Sequence, residues 1–257
     1  MDVSVVIATH NRHEICARAV ASALAQQPAP REVIVCDDGS RDETRERFTA
    51  WAQDEPRLRY LRRPDSAGGP GPARNLGIAA ASGRWLAFLD DDDEWLAGKL
   101  AAQRAWCEDG RADVVGTNAL RSSGALYFPD LDAPRMPTRH DLLHDNPLVL
   151  STVVAARDLV RAANGFPTAR RVGGIADYLL WMRLSDLGAR FAVLPEPLVR
   201  YDDAADAGRM SDHAVQMHLG IVQTSWRRWG RRPWDRLLLR AAVNQSHKAL
   251  GVWRERR

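Results

Sequence analysis

Runs of apolar residues alternate with helix-like patterns along the first half of the chain. Five of these runs are nearly continuous, which is typical of strands covered on both faces of a sheet. The predicted strands lie at residues 3–8, 32–36, 58–61, 84–89 and 113–117, and the predicted helices at residues 13–26, 42–53, 73–81 and 95–107. This alternation predicts right-handed βαβ units, and therefore an α/β fold whose mostly parallel sheet is flanked by helices.

The pattern becomes less regular after residue 118. Short strands are predicted at residues 125–128, 148–155, 191–194 and 198–201, and helices at residues 157–164 and 177–187. Two further helices are predicted at residues 210–229 and 234–253. We therefore divide the chain into a regular half at residues 1–118, a second half of the same domain at residues 119–208, and a helical C-terminal extension at residues 209–257.

The composition is that of an ordinary globular protein, with 45% of the 257 residues hydrophobic and 27% charged. This length suits one large α/β domain, or a domain with an appendage. The cysteines, Cys16, Cys36 and Cys107, fit neither a metal motif nor a disulfide framework, so we expect buried free thiols in a reducing compartment. No secretory signal and no apolar stretch of about 18 residues is found, which favours a cytoplasmic location.

Arginine and tryptophan are interleaved between residues 226 and 257, although the net charge of the whole chain is only +3. We expect this segment to form amphipathic helices that pack their tryptophans on the domain. The alternative is a peripheral contact with an anionic membrane surface or a lipid-linked substrate. Nothing in the segment resembles a nucleic-acid-binding motif, so no nucleic-acid partner is expected.

Four consecutive aspartates, residues 90–93, follow the fourth predicted strand. Clustered carboxylates repel one another, but at the end of a buried strand they suit Mg²⁺ or Mn²⁺, particularly when substrate phosphates complete the coordination shell. The alternative is a solvated acidic turn before a helix, whose N-terminus favours negative charge. Two more polar loops, residues 9–12 and 37–40, also follow strands, and parallel sheets bind ligands beyond the carboxyl ends of their strands.

Neither of the glycine-rich sequences that hold phosphates, GxGxxG or GxxxxGK(S/T), follows the first strand. Asp37 and Asp38 do end the second strand, where a dinucleotide-binding domain has its ribose-binding acid. Without the glycine pattern, an NAD-binding function is disfavoured. Arginine and a cation on the acidic cluster can instead neutralise a nucleotide diphosphate.

Four ordered motifs give the chain a resemblance to a known enzyme family. They are VSVVIATHNR at residues 3–12, VIVCDDGS at residues 33–40, GGPGPARN at residues 68–75 and FLDDDDEW at residues 88–95. In this order and spacing they resemble the inverting GT-A glycosyltransferases of family 2, closely over residues 2–118 and more loosely up to residue 201. The resemblance implies a GT-A, Rossmann-like fold, with nucleotide-sugar binding at residues 1–118 and acceptor binding at residues 119–208.

The resemblance also implies roles for individual residues on the donor side. Thr9, with Asn11 and Arg12 beside it, is similar to the first nucleotide-contacting loop of the family. Asp38 is similar to the acid that accepts a hydrogen bond from a ring N–H of the base, which favours uracil or thymine. Arg74 is similar to the basic residue on the donor side, although a loop-stabilising hydrogen-bond donor is the alternative.

The acidic cluster is similar to the family's DxD motif. Asp92 is the expected direct metal ligand, and Asp90 or Asp91 is expected near the ribose, with Asp90 also a metal candidate. For Asp93 and Glu94 we expect helix capping instead. The expected cofactor is Mn²⁺ or Mg²⁺. Some relatives place a histidine ligand after the strand predicted at residues 198–201, but here the next histidine is His213, for which we expect a surface helix.

The catalytic base is expected in the second half, at Asp177. The family usually has two acids at the start of a helix of the form EDYxLWxR, and residues 176–183 read ADYLLWMR, so Ala176 replaces the first acid. One carboxylate suffices, because it only has to remove the proton of the acceptor hydroxyl as that oxygen attacks the anomeric carbon. The alternative for Asp177 is an N-cap of the following helix.

The resemblance therefore implies an inverting, metal-dependent glycosyltransferase of the hexosyltransferase type. It would move a sugar from a UDP- or dTDP-linked donor to a glycan, lipid-linked or small-molecule acceptor, in glycan, glycolipid or glycosylated-metabolite synthesis. Two alternatives remain open. A nucleotidyltransferase acting on sugar phosphates would normally show a glycine-rich basic signature after the first strand. A non-catalytic sugar-nucleotide-binding module would not need Asp177.

Overall fold

A computed structural model of the protein describes residues 1–64, 69–169 and 174–203. The predicted helices of the C-terminal extension, the arginine- and tryptophan-rich segment and His213 lie outside the described residues. Among the helices that are described, none has the length and apolar character needed to cross a membrane.

The described residues form an α/β structure. Its strands are β1 (Val3–Thr9), β2 (Glu32–Asp37), β3 (Leu58–Arg62), β4 (Trp85–Asp90), β5 (Glu94–Trp95), β6 (Val114–Arg121), β7 (Val154–Ala156) and β8 (Phe191–Tyr201). Its helices are α1 (His13–Leu24), α2 (Thr44–Asp54), α3 (Pro70–Ala80), α4 (Lys99–Glu108), α5 (Arg139–His144), α6 (Arg157–Ala162) and α7 (Ala176–Asp186), and a 3-10 turn spans Leu150–Thr152.

All eight strands belong to one sheet, in the order β3-β2-β1-β4-β7-β6-β8-β5. The first four strands are parallel, as predicted, because each is joined to the next through a helix that packs on the sheet. The second half is mixed: β7 is antiparallel to both β4 and β6, β5 is antiparallel to β8, and β6 and β8 are parallel. Short β7 therefore joins the two halves into a single sheet.

The four strands predicted in the second half differ from the structure. The segment at residues 125–128 makes only an isolated bridge between Leu120 and Leu126. The run at residues 148–155 divides into the 3-10 turn and the short strand β7. The two strands predicted at residues 191–194 and 198–201 are one continuous strand, β8, because register shifts opposite Asn118 absorb the irregularity that its prolines introduce.

The segment after the acidic cluster also differs from the prediction. Glu94 and Trp95 form strand β5, and helix α4 begins four residues later, at Lys99, with Gly98 at its N-cap. The expected helix-capping role of Asp93 and Glu94 is therefore wrong. The reason is tertiary, because pairing of β5 with β8 keeps the chain extended where local helical periodicity favoured a helix.

Aromatic packing fixes α7 against the sheet. Trp181 of α7 is fully buried, and its ring centroid lies 6.4 Å from that of Phe88 in β4. Phe88 also packs edge-on against Phe166, with 5.1 Å between the ring centroids. Since Asp177 precedes Trp181 by one helical turn, this packing determines where the first turn of α7 lies. The three cysteines are free and buried, as predicted.

A buried carboxylate joins neighbouring segments at the end of the sheet that lies opposite the polar loops. Glu32, at the start of β2, accepts hydrogen bonds from the hydroxyls of Ser4 and Ser82, both at 2.6 Å, and from Arg59 Nη1 at 2.5 Å. Burial alone would raise the pKa of Glu32, but these hydrogen bonds outweigh it and lower the pKa from 4.5 to about 2. Ionised Glu32 therefore stabilises the sheet.

We predict that Glu32→Gln lowers the free energy of unfolding by about 2–3 kcal/mol at neutral pH. Because the folded-state pKa lies below the unfolded-state value, the stabilisation is complete above about pH 4.5 and is lost as the pH falls towards 2. Urea unfolding of both proteins between pH 7 and the acid limit of folding measures this difference. The exposed Glu46→Gln on α2 is the control, and a difference that does not shrink at acid pH would contradict the prediction.

Candidate functional site

The loops after β1 and β4 meet through hydrogen bonds at the carboxyl edge of the sheet. Thr9 Oγ1 donates to Asp91 Oδ2 at 2.7 Å. Arg12 Nη1 donates to Asp91 Oδ1 at 3.3 Å and to Asp92 Oδ2 at 3.0 Å. Three predicted donor-side residues, Thr9, Arg12 and Asp91, are thus brought together with the expected metal ligand Asp92.

Asn11 joins the loops after β1 and β2. Its backbone N–H donates to Ser40 Oγ at 2.9 Å, and its side-chain Oδ1 accepts from the backbone N–H of Arg41 at 2.7 Å. Its φ of 54° lies in the left-handed region, which asparagine tolerates better than most residues. Asn11 therefore shapes the first loop, a role that its expected place in the nucleotide-contacting loop did not include.

The two aspartates that end β2 are both buried. Asp37 is held within the loop, accepting from the backbone N–H of Ser40 at 2.8 Å and from the Tyr60 hydroxyl at 2.5 Å. Asp38 forms an ion pair with Arg63 and is 4% exposed. The structure therefore places Asp38 at the edge of the site, with its charge already balanced by an arginine that the sequence did not single out.

Arg74 of α3 reaches the acidic cluster from the other side. It forms an ion pair with Asp90, and its guanidinium lies over the ring of Phe166 at 5.2 Å from the centroid. The Arg74 side chain is only 8% exposed. Its contact with Asp90 ties α3 to the start of the acidic loop and leaves the guanidinium at the wall of a cleft.

The aspartates can hold a divalent cation. One carboxylate oxygen from each of Asp90, Asp92 and Asp93 can be chosen so that all three atoms lie within 4.8 Å of one another. Such an all-oxygen set suits Mg²⁺ or Mn²⁺. Asp90 and Asp92 are the accessible members, each with 29% of its side chain exposed. Asp91 turns away towards Thr9, so the geometry fits the expected pair Asp90 and Asp92.

The electrostatics of the cluster agree with a site for a cation. Burial raises the pKa of Asp91 to about 6, and the neighbouring Asp92 carboxylate adds to this effect. Burial, followed by repulsion from Asp90, raises the pKa of both Asp92 and Asp93. Ionised carboxylates are thus costly here, and a positive ligand would lower that cost.

Asp93 and Ser151 form a support for the cluster that the sequence did not reveal. Asp93 is 1% exposed, accepts from the Ser151 hydroxyl and accepts from the backbone N–H of Asp202 at 2.8 Å. Ser151 Oγ in turn accepts from the backbone N–H of Asp90 at 3.0 Å. The Trp95 indole N–H fixes the same residue by donating to the Ser151 carbonyl at 2.8 Å. No local motif marks Ser151, because it comes from the distant 3-10 turn.

Asp177 lies in a cleft with Arg74 and Asp90. It is the second residue of α7, after the N-cap Ile175, so the N-cap alternative is wrong. Burial raises its pKa above the ordinary value, nearby Asp90 reinforces the shift, and Arg74 opposes it. The predicted base is therefore close enough to Arg74 and Asp90 for their charges to change its pKa.

The cleft has a volume of about 320 Å³. Its polar wall consists of Arg74, Asp90 and Asp177, and three of the chain's four tyrosines also line it. These are Tyr127, Tyr178 and Tyr201, and the remaining lining residues are Pro70, Asn146, Leu148, Val149, Leu150, Gly174 and Ile175. A pocket that combines aromatic and apolar side chains with a few convergent polar groups is typical of a small-ligand site.

The sequence matches one family over its first part. The model for "Glycosyl transferase family 2" matches residues 4–151, which is more than half of the chain. The chain belongs to glycosyl transferase family 2. The expectation drawn from the four motifs is thereby confirmed.

Three characterised or named relatives are similar to the chain. It is 34% identical over 48% of its length to GalNAc(5)-diNAcBac-PP-undecaprenol beta-1,3-glucosyltransferase of Campylobacter jejuni, and 33% identical over 76% to succinoglycan biosynthesis protein ExoO of Rhizobium meliloti. It is 31% identical over 71% to UDP-Glc:alpha-D-GlcNAc-diphosphoundecaprenol beta-1,3-glucosyltransferase WfgD of Escherichia coli. The aligned regions cover 40%, 58% and 69% of these proteins, respectively.

Solved structures share the fold. TarS 1–349 of S. aureus in complex with UDP matches with a TM-score of 0.73 and 21% identity, over 96% of this chain and 72% of that one. The mannosyltransferase PcManGT of Pyrobaculum calidifontis, in complex with GDP-Man and Mn²⁺, matches with a TM-score of 0.67 and 21% identity, over 98% of this chain and 74% of that one. These likenesses confirm the GT-A architecture of the family.

We predict that Ser151→Ala destabilises the fold by about 1–3 kcal/mol, because it removes the Ser151 hydroxyl that donates to buried Asp93 Oδ2 and accepts from the Asp90 N–H. Urea unfolding measures the change, with Ser122→Ala, at an exposed position, as the control. An unchanged unfolding midpoint would show that the Ser151 hydroxyl does not support the cluster.

Proposed function

We propose that the protein is an inverting, metal-dependent transferase that moves a hexose from a UDP- or dTDP-linked donor to a hydroxyl of a lipid-linked or growing glycan. The observation that carries the proposal is the shared cleft of Asp177, Arg74 and Asp90. In this cleft, a half-buried carboxylate of raised pKa lies beside an acidic cluster that fits a divalent cation.

The donor side rests on the loops after β1, β2 and β4. Asp38 would accept a hydrogen bond from the N3–H of uracil or thymine, and Thr9 and Asp91 would border the ribose. A UDP donor is supported by the name of the WfgD relative, which specifies UDP-Glc, and by the UDP complex of TarS. The ion pair with Arg63 would orient the Asp38 carboxylate towards the base.

Asp90 and Asp92 would hold the divalent cation. When bound, the cation stabilises the negative charge that develops on the leaving diphosphate, so the protein needs no general acid. Arg74 keeps Asp90 oriented through its ion pair and adds positive charge on the donor side of the cleft. Mn²⁺ in the PcManGT complex supports a cation of this type.

Asp177 would act as the base. As the acceptor oxygen forms its bond to the anomeric carbon, the proton of that hydroxyl passes to an Asp177 carboxylate oxygen. The bond from the anomeric carbon to the diphosphate oxygen breaks on the opposite face, and the configuration is inverted. Because burial raises the pKa of Asp177, its carboxylate is a stronger base than a solvated aspartate.

The tyrosines of the cleft would hold the acceptor. Tyr127 and Tyr201 both line the cleft and lie edge to face, with 5.4 Å between ring centroids. Aromatic rings provide apolar surface for a sugar ring, and Asn146 adds an amide for its hydroxyls. Relatives named for GlcNAc- and GalNAc-bearing diphosphoundecaprenol acceptors support a lipid-linked saccharide, which would bring the protein to the membrane surface.

We predict that Asp177→Asn lowers the rate of sugar transfer by about 10²- to 10⁴-fold, because the amide cannot take the proton. UDP affinity should change little, since Asp177 lies on the acceptor side. A panel of UDP-, dTDP-, CDP- and GDP-sugars with Mn²⁺ first identifies the donor, and transfer rate and UDP affinity are then measured on both proteins. Asp186→Asn, at the end of the same helix, is the matched control.

Near wild-type transfer by Asp177→Asn would show that the base lies elsewhere. A wild-type protein that binds nucleotide sugars but neither hydrolyses nor transfers them would favour the non-catalytic module. Exchange of a nucleotide onto a sugar phosphate would favour the nucleotidyltransferase.

We predict that Asp92→Asn abolishes metal-supported UDP binding and leaves the fold intact, because the substitution removes charge but almost no volume. Calorimetric titration with UDP in the presence and absence of Mn²⁺ measures the effect. The control is Glu94→Gln, which removes a carboxylate two residues further along, outside the cluster that fits a cation. Unchanged UDP affinity in Asp92→Asn would remove Asp92 from the metal site.

A further inference from the structure

Arg12 contacts the carboxylate that is expected to bind the cation. One nitrogen, Nη1, donates both to Asp92 Oδ2 at 3.0 Å and to Asp91 Oδ1 at 3.3 Å. Asp92 is also one of the aspartates whose oxygens come within 4.8 Å of each other. The guanidinium and a divalent cation therefore depend on the same carboxylate.

The two arginines of the cluster differ in their freedom to move. Arg74 is held in the wall of the cleft, with 8% of its side chain exposed and its guanidinium over Phe166. Arg12 precedes the first residue of α1 and has 38% of its side chain exposed. Arg12 can therefore leave the cluster by side-chain rotation alone, whereas Arg74 would have to leave a packed environment.

We propose that Arg12 is an internal counter-ion that couples cation binding to donor binding. With Arg12 on Asp91 and Asp92, a cation at Asp92 is repelled by the guanidinium and must share its ligand. The donor's diphosphate offers Arg12 a new anionic partner. When the guanidinium moves to the diphosphate, Asp92 becomes free to bind the cation. Each ligand then strengthens binding of the other. This inference rests on the proposed function, which supplies the diphosphate and the cation.

The expected size follows from Coulomb's law. A divalent ion about 5 Å from a guanidinium is repelled strongly enough, even at the dielectric constant of water, to weaken its binding by about tenfold. When the donor is bound, a contact between Arg12 and the donor phosphate removes this repulsion and restores the affinity for the cation. Since linkage is reciprocal, Mn²⁺ should increase UDP affinity by the same factor as UDP increases Mn²⁺ affinity.

The experiment compares Mn²⁺ binding by wild type, Arg12→Ala, Arg12→Gln and Arg18→Ala. Free Mn²⁺ is measured by electron paramagnetic resonance without and with saturating UDP, and UDP affinity is measured by calorimetry without and with Mn²⁺. Arg18→Ala removes the same charge from α1, at a residue that is 63% exposed and reaches Glu94 only at 3.9 Å. Arg12→Gln keeps a hydrogen-bond donor without the charge, and thermal unfolding verifies the fold of each variant.

We expect both Arg12 variants to bind Mn²⁺ about tenfold more tightly than wild type without UDP. The factor by which UDP and Mn²⁺ strengthen each other should fall by a similar amount, while Arg18→Ala behaves like wild type. Equal or weaker Mn²⁺ binding by the Arg12 variants, with an unchanged coupling factor, would overturn the inference alone. Absence of Mn²⁺ binding to wild type with UDP present would overturn the metal site of the proposed function as well.

Discussion

Repulsion among the four carboxylates at the end of β4 is the constraint on which the site depends. Neighbouring groups offset the charge of each carboxylate. Arg74 pairs with Asp90, Thr9 and Arg12 contact Asp91, and Arg12 also pairs with Asp92. The Ser151 hydroxyl and the backbone N–H of Asp202 donate to Asp93. The compensation is incomplete, because the pKa values of the last three remain raised. A site with residual negative charge favours binding of a positive ligand. The repulsion among its carboxylates also lowers the stability of the fold.

The groups that offset the charge of the acidic cluster come from segments that are far apart in the sequence. Arg12 follows β1, Arg74 belongs to α3, and Ser151 lies in the turn before β7. The parallel order of the first four strands brings the β1 and β4 loops to one edge, and antiparallel β7 brings Ser151 beneath β4. The mixed second half of the sheet is thus more than an appendage of the parallel half, because it supplies the support of the acidic cluster.

The first half of the fold could be predicted from the sequence because its buried strands are continuous apolar runs, and those runs fell within one or two residues of β1 to β4. The second half was harder. Glu94 and Trp95 follow a helical pattern but pair with β8, and residues 191–201 contain two prolines yet form one strand. The family-like motifs singled out Asp92, Arg74 and Asp177 as candidates, since each lies within a recognisable stretch of local sequence. They could not locate Ser151 or Arg63, whose partners lie 58 and 25 residues away.

Asp177 meets two opposing requirements. As the proposed base, it would have to be ionised to accept a proton and yet basic enough to take one, and the charges around it act in opposite directions. Burial and Asp90 raise its pKa, whereas Arg74 lowers it. Arg74 and Asp90 are themselves an ion pair whose effects on the pKa of Asp177 oppose each other, and burial, the largest influence, decides the direction of the shift. In the proposed mechanism, the Arg74–Asp90 pair would stand between a charged donor side and the base, while burial keeps the pKa of that base raised.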